Sequence, residues 1–162
     1  MIVEDLIKEY GNIVHKGRYL IDNPPEILSI SPATDIALGS GIPFGTIMIM
    51  SGKFKTGKTS LSLHIAKKAQ QQNRKVFFQD IEVRLKKRDI EGIKDLDPNK
   101  IEVIVSSAGN ILSAEKHLQI TEKLIKSEPG CIIIMDSISQ LYAEKQMSED
   151  LSSYLEEKNI KV

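Results

Sequence analysis

Apolar residues in this chain recur in two spacings, which predict alternating helices and strands. The first group recurs three and four residues apart and is followed by a glycine. Its members are Ile2, Val3, Leu6, Ile7 and Tyr10, with Gly11 after them. This spacing is typical of a short amphipathic helix that ends at the glycine. Most of the prolines lie between positions 11 and 45, so we expect an extended lead-in with turns there.

From Thr46 onward, short runs of apolar and β-branched residues alternate with helical patterns. The predicted strands cover 46–50, 76–80, 101–105 and 131–135, with helices at 60–72, around 114–125 and at 147–155. A further strand could begin at 160–162. The alternation predicts an α/β fold, with a parallel sheet, helices on both faces and ligands at the carboxyl ends of the strands. We expect one domain, made of a segment at 1–45 and a core at 46–162.

Composition narrows the function classes only slightly. The chain of 162 residues, with 41% apolar and 27% charged side chains, is ordinary for a globular domain. Its 22 basic and 22 acidic residues cancel, so net charge gives no support for nucleic-acid binding. The single cysteine, Cys131, excludes an internal disulfide and fits a reducing compartment. Without a signal-peptide pattern or an 18-residue apolar stretch, we expect a cytoplasmic protein that has no membrane partner.

Residues 52–59 read G-x-x-x-x-G-K-T, between the first predicted strand and the helix that follows it. In that position the pattern predicts a loop whose backbone N–H groups bind phosphate oxygens. The predicted nucleotide-binding residues are Gly52, Lys53, Phe54, Lys55, Thr56, Gly57, Lys58, Thr59 and Ser60. We expect Lys58 to reach the β- and γ-phosphates and Thr59 to bind Mg²⁺. The alternative interpretation is a glycine turn with a helix-capping threonine.

Two acidic residues follow predicted strands and are candidates for the chemistry. Asp136 comes after four apolar residues and could share Mg²⁺ with Thr59, or could cap a helix. Glu82 lies just past the second strand and could activate the attacking water, or could be a solvated loop acid. We assign no ligand role to the histidines.

With these motifs the chain resembles the RecA recombinase family. The segment 35–45 is similar to the family's approach to its first core strand, and the phosphate loop follows at the family's distance. The segment 78–82 is similar to the strand whose terminal glutamate activates water, and 133–137 is similar to the magnesium strand. The stretches 96–100 and 154–160 look closest to T4-type phage versions. The resemblance spans roughly residues 5 to 145.

The resemblance implies a P-loop NTPase core of RecA type that binds and hydrolyses ATP with Mg²⁺. It implies catalytic roles for Glu82 and Lys58, and metal binding by Thr59 and Asp136. In the family such a core acts in DNA recombination and repair by ATP-dependent assembly on single-stranded DNA. The N-terminal helix there docks on a neighbouring subunit, which implies self-association into a filament or ring; the alternative is packing against its own domain.

The chain also departs from the family pattern at two places. No aromatic residue lies in 83–92, where the family stacks one on adenine. The sequence ends before the strand with a polar sensor residue and before the two DNA-binding loops. We therefore keep two hypotheses. The first is a RecA-like recombinase core, natural or a fragment. The second is a RecA-like regulatory module, or an inactive paralogue, that binds a protein partner rather than DNA.

Overall fold

The computed structural model describes residues 2–11, 13–107 and 110–147. The helices of this part include α1 (Ile2–Tyr10), α2 (Arg18–Asp22), α3 (Pro32–Leu38), α4 (Lys58–Gln71), α5 (Lys87–Glu91) and α6 (Ala114–Ser127). Its strands are β1 (Ile27–Leu28), β2 (Ile42–Pro43), β3 (Val76–Asp80), β4 (Ile101–Val105) and β5 (Ile132–Asp136). Short 3₁₀ turns cover Pro98–Lys100 and Ile138–Gln140.

Three parallel strands form the central sheet, in the order β4-β3-β5. Val76 lies opposite Ile101 and Ile132 at one end of the sheet. Asp80 lies beside Asp136 at the carboxyl end, so the ends of β3 and β5 coincide. The strands predicted at 76–80 and 101–105 are confirmed, and the one predicted at 131–135 lies one residue later.

Helices cover both faces of this sheet. Because alternate side chains of β3 point in opposite directions, this strand contacts one helix on each face. On one face, Val76 and Phe78 belong to a buried cluster with Leu63 and Ala66 of α4. On the other face, the amide of Gln79 donates a hydrogen bond to a threonine of α6. The predicted α/β fold with a parallel sheet and helices on both faces is therefore confirmed.

The strand predicted at 46–50 is wrong. The structure assigns no strand there, and the side chains of Ile47 and Ile49 are 93% and 73% exposed. A strand needs a neighbour for its backbone hydrogen bonds, and in the described part of the chain none pairs with this segment. The helix after it is confirmed, beginning at Lys58 instead of the predicted position 60.

The lead-in is more structured than predicted. It holds α2, α3 and an antiparallel pair in which Ile27 lies opposite Pro43. Helix α3 begins where the Ser31 hydroxyl accepts the backbone N–H of Thr34. It ends at Gly39, whose φ of 81° is left-handed. These capping residues stabilise a helix in a segment that we expected to be extended.

The lead-in is attached to the core through Arg74, which follows α4. Its guanidinium lies 3.8 Å from the centre of the Phe44 ring and forms an ion pair with Glu26. The same side chain donates to the backbone carbonyl of Gly130 at 3.1 Å. One arginine therefore joins the lead-in to the turn before β5.

Helix α1 matches its prediction. In α6 the sequence marks a helix stripe at Ala114, Leu118, Thr121 and Ile125, but the structure buries a different face. Leu118 and Ile125 of that stripe are 56% and 59% exposed, while His117 is 1% exposed. The reason is that β3 offers a polar partner, since His117 Nδ1 lies 2.6 Å from Gln79 Oε1. The helix predicted from 147 and the strand predicted at 160 fall almost wholly outside the described residues. No helix in the described ranges combines the length and the apolar character needed to cross a membrane.

Candidate functional site

The loop at 52–57 leads into the first turn of α4. Gly57 has a φ of 88° directly before the helix, a left-handed conformation that glycine adopts without strain. The Thr56 hydroxyl donates to the carbonyl of Lys53 at 2.8 Å and closes the loop on itself. Because the first N–H groups of a helix lack partners within it, α4 presents donors and a positive dipole end beside this loop.

Lys58 curls back across the mouth of the loop. Its Nζ donates to the carbonyl oxygens of Gly52 and Lys53, both at 3.0 Å. Phe54 is 76% exposed, and the Lys55 ammonium lies 5.5 Å from the centre of that ring. The loop thus carries three lysines, of which Lys58 is the one held against its backbone.

Thr59 and Asp136 meet at the sheet's carboxyl edge. Thr59 Oγ1 donates to Asp136 Oδ2 at 2.5 Å, although 77 positions separate the two residues. A hydroxyl and a carboxylate are oxygen ligands of the kind that Mg²⁺ prefers, and Mg²⁺ commonly takes only one or two from the protein. The donor set therefore fits a magnesium ion bound together with phosphate oxygens and water.

Glu82 lies at the same edge and is fixed by two contacts. Its Oε1 accepts the Ser137 hydroxyl at 2.7 Å, and Ser137 directly follows Asp136. Its Oε2 pairs with Arg84 Nη1 at 2.8 Å. The side chain of Glu82 is 22% exposed. The Glu82 carboxylate is thus bonded to Ser137, the sequence neighbour of Asp136, which contacts Thr59.

Sequence reasoning missed what Asp80 does. It is 6% exposed, and its carboxylate accepts the backbone N–H groups of Arg84 and Leu85 at 3.0 and 2.9 Å. These bonds shape the turn that presents Glu82. Backbone donors leave no trace in a residue pattern, so this role had no readable signal; Ser137, by contrast, could have been noticed as the neighbour of Asp136.

The predicted residues therefore come together in part. Four of them are linked at the carboxyl end of β5. Thr59, which follows Lys58, contacts Asp136, and Ser137, which follows Asp136, contacts Glu82. The side chains of Lys53, Phe54 and Lys55 are exposed. Ser60 lies in the first turn of α4. The roles of these residues in binding and catalysis stay predictions.

Comparison with known proteins addresses the family directly. Residues 3–160 match the model of the RecA N-terminal domain. Protein RecA of Acholeplasma laidlawii (strain PG-8A) is 34% identical over 149 residues, which is 88% of this chain and 42% of that protein. Protein RecA of Oceanobacillus iheyensis is 30% identical over 154 residues, covering 93% of this chain and 43% of that protein.

A third relative gives the same result. Protein RecA of Desulforapulum autotrophicum is 33% identical over 142 residues, which is 87% of this chain and 39% of that protein. The chain thus spans about two fifths of the length of the curated relatives it matches. With a family model matched over nearly its whole length, on a fold of parallel strands and covering helices, this chain belongs to the RecA family.

Proposed function

We propose that this chain binds ATP with Mg²⁺ through residues 52–60 and hydrolyses it with Glu82 as the base. The observation that carries the proposal is the Thr59–Asp136 contact at 2.5 Å. It supports a site in which the phosphate loop, a metal-binding carboxylate and a candidate base face one another. No single one of these residues would suffice, because each also has an ordinary structural interpretation.

The loop and α4 supply the phosphate contacts in this proposal. Lys58 donates to two loop carbonyls in the structure. With a triphosphate present, the same ammonium donates to β- and γ-phosphate oxygens, since charged acceptors form stronger hydrogen bonds than carbonyls do. Thr59 and Asp136 would hold the magnesium ion. When bound, that ion neutralises charge on the phosphate oxygens.

Glu82 acts on the water that attacks the γ-phosphorus. The water oxygen forms the new bond to phosphorus, its proton passes to the carboxylate, and the bond to the leaving ADP oxygen breaks. Ser137 fixes one carboxylate oxygen through its hydroxyl. This hydrogen bond restricts the orientation of the proposed base, which supports the role.

We further propose that the core works as a RecA-type recombinase, assembling on single-stranded DNA with ATP bound. Family membership supports this, as does α1, whose apolar residues include Ile2 and Tyr10 at 77% and 60% exposure. Such a helix suits docking on a second copy of the chain. The second candidate, a regulatory module that binds a protein partner, is supported by the balanced 22 basic and 22 acidic residues.

Replacement of Glu82 by Gln tests the hydrolysis proposal. Because Gln cannot accept the proton, we expect turnover to fall by about 10²–10⁴-fold, the usual contribution of a general base. ATP affinity should stay the same, because Glu82 is not a phosphate-binding group. Glu91→Gln, an exposed change on α5, is the matched control. Undiminished turnover in Glu82→Gln would remove Glu82 from this role.

Sedimentation distinguishes the two candidate functions. The recombinase candidate expects ATP-dependent large assemblies with single-stranded DNA and faster turnover when DNA is added. Leu6→Glu, which places a charge on the apolar side of α1, should abolish assembly while ATP binding persists. Identical sedimentation and turnover with and without DNA would favour the regulatory module.

A further inference from the structure

Arg84 contacts the carboxylate that the proposed hydrolysis uses as its base. Arg84 Nη1 lies 2.8 Å from Glu82 Oε2, while Ser137 donates to Oε1 at 2.7 Å. The two donors come from different places, since Ser137 follows β5 and Arg84 lies in the same loop as Glu82. Both carboxylate oxygens of Glu82 therefore accept a hydrogen bond.

The loop between β3 and α5 fixes the backbone position of Arg84. The buried carboxylate of Asp80 accepts the backbone N–H of Arg84 at 3.0 Å and that of Leu85 at 2.9 Å. Val83, directly before Arg84, has a φ of 53°, a left-handed conformation that β-branched residues rarely adopt. The turn therefore directs the arginine back over Glu82 rather than along the chain toward α5.

This contact affects what Glu82 can do. A carboxylate oxygen that accepts an N–H from a guanidinium has one lone-pair direction fewer for water. Ser137 orients one carboxylate oxygen of Glu82, whereas the Arg84 guanidinium occupies the other and competes there with the attacking water.

We propose that Arg84 is a positioning residue that restrains Glu82 and must release it in each turnover. The inference rests on the proposed hydrolysis and names a regulator within that site. Arg84 acts through Glu82 and is not itself a catalytic residue. Its side chain is 68% exposed, so the pair is weakened by water and can open readily.

The test is ATP turnover of Arg84→Gln, which keeps a polar side chain but shortens it and removes the charge. We expect turnover to rise about two- to fivefold, the effect of losing one exposed ion pair. Arg88→Gln is the matched control, because Arg88 is 81% exposed and pairs with Asp89 instead. It should match the unchanged protein. Turnover should rise less in Arg84→Lys, which keeps the charge, than in Arg84→Gln.

Two further readouts separate this role from a structural one. In a Glu82→Gln background, Arg84→Gln should have no effect, because the group it acts on is gone. Rising ionic strength should reduce the difference in ATP turnover between the unchanged protein and Arg84→Gln, because salt screens exposed ion pairs.

Each result decides the proposal. Turnover in Arg84→Gln that equals or falls below that of Arg88→Gln overturns it, as does an equal effect in the Glu82→Gln background. If Glu82→Gln lowers turnover but Arg84→Gln does not raise it, hydrolysis stands and only this inference fails. If turnover never depends on Glu82, the proposed hydrolysis fails and takes this inference with it.

Discussion

Acidification should destabilise this protein through His117, which is 1% exposed between α6 and β3. Its Nδ1 donates to Gln79 Oε1 at 2.6 Å, and the Gln79 amide donates to Thr121 Oγ1 at 2.7 Å. The network fixes the proton on Nδ1, because the amide oxygen can only accept. Nε2 is buried and has no hydrogen-bond partner among the described residues. A proton added there would place an unpaired charge in the interior.

Burial therefore lowers the pKa of His117 below its ordinary value of 6.5. As pH falls, the unfolded chain takes up this proton before the folded protein does. The stability that neutral His117 contributes is fully present above about pH 6.5 and is lost as pH falls toward the folded pKa. For one proton, the loss between about pH 7.5 and pH 5.5 is at most about 1.4 kcal/mol.

Urea unfolding at several pH values measures this loss. His117→Asn keeps a donor near the Nδ1 position and cannot titrate, so its free energy of unfolding should fall less over the same interval. His64→Gln controls for removal of any histidine. The difference between the unchanged protein and His117→Asn isolates this residue from carboxylates that also titrate. Parallel pH profiles for the two proteins would refute the reasoning.

Two other substitutions test how the site and its support are built. Asp80→Asn leaves one of two backbone N–H groups without its acceptor. The free energy of unfolding in urea should fall by about 1–3 kcal/mol, and Glu82-dependent turnover should fall as well. Unchanged stability would contradict this role of Asp80. Gly130→Ala puts a methyl group at a φ of +79° and against the Arg74 guanidinium. This substitution should lower the free energy of unfolding more than Gly39→Ala does, because Gly39 has a φ of +81° but no atom of a described, non-neighbouring residue within 4 Å of the added methyl group. Equal losses would show that the arginine contact is unimportant.

Much of the core could be predicted because each of its strands consists largely of apolar residues. The limits of the strands at 76–80, 101–105 and 132–136 were predicted to within one position. The equally apolar run at 46–50 failed, because composition cannot reveal whether a neighbouring strand is there to pair with it. Pairing is a property of the sheet, not of the segment.

Local signals were also overlooked. Ser31 followed by Pro32 is a helix start, and Gly39 is a helix stop, so α3 could have been predicted from capping alone. The buried face of α6 could not, because His117 turns inward only where Gln79 meets it. Sequence thus located the chemistry-bearing residues near Thr59 and Asp136 but not the contacts of Asp80 and Arg84, which depend on the folded turn.

Calorimetric titration of ATP in the presence of Mg²⁺ tests the central claim most directly. We predict saturable binding by the unchanged chain and about 10- to 150-fold weaker binding by Lys58→Ala, because charge-assisted hydrogen bonds contribute about 1.5–3 kcal/mol. Lys67→Ala, a lysine farther along α4, should bind as the unchanged chain does. Absence of ATP uptake by the unchanged chain, or equal affinity in Lys58→Ala, would contradict the account.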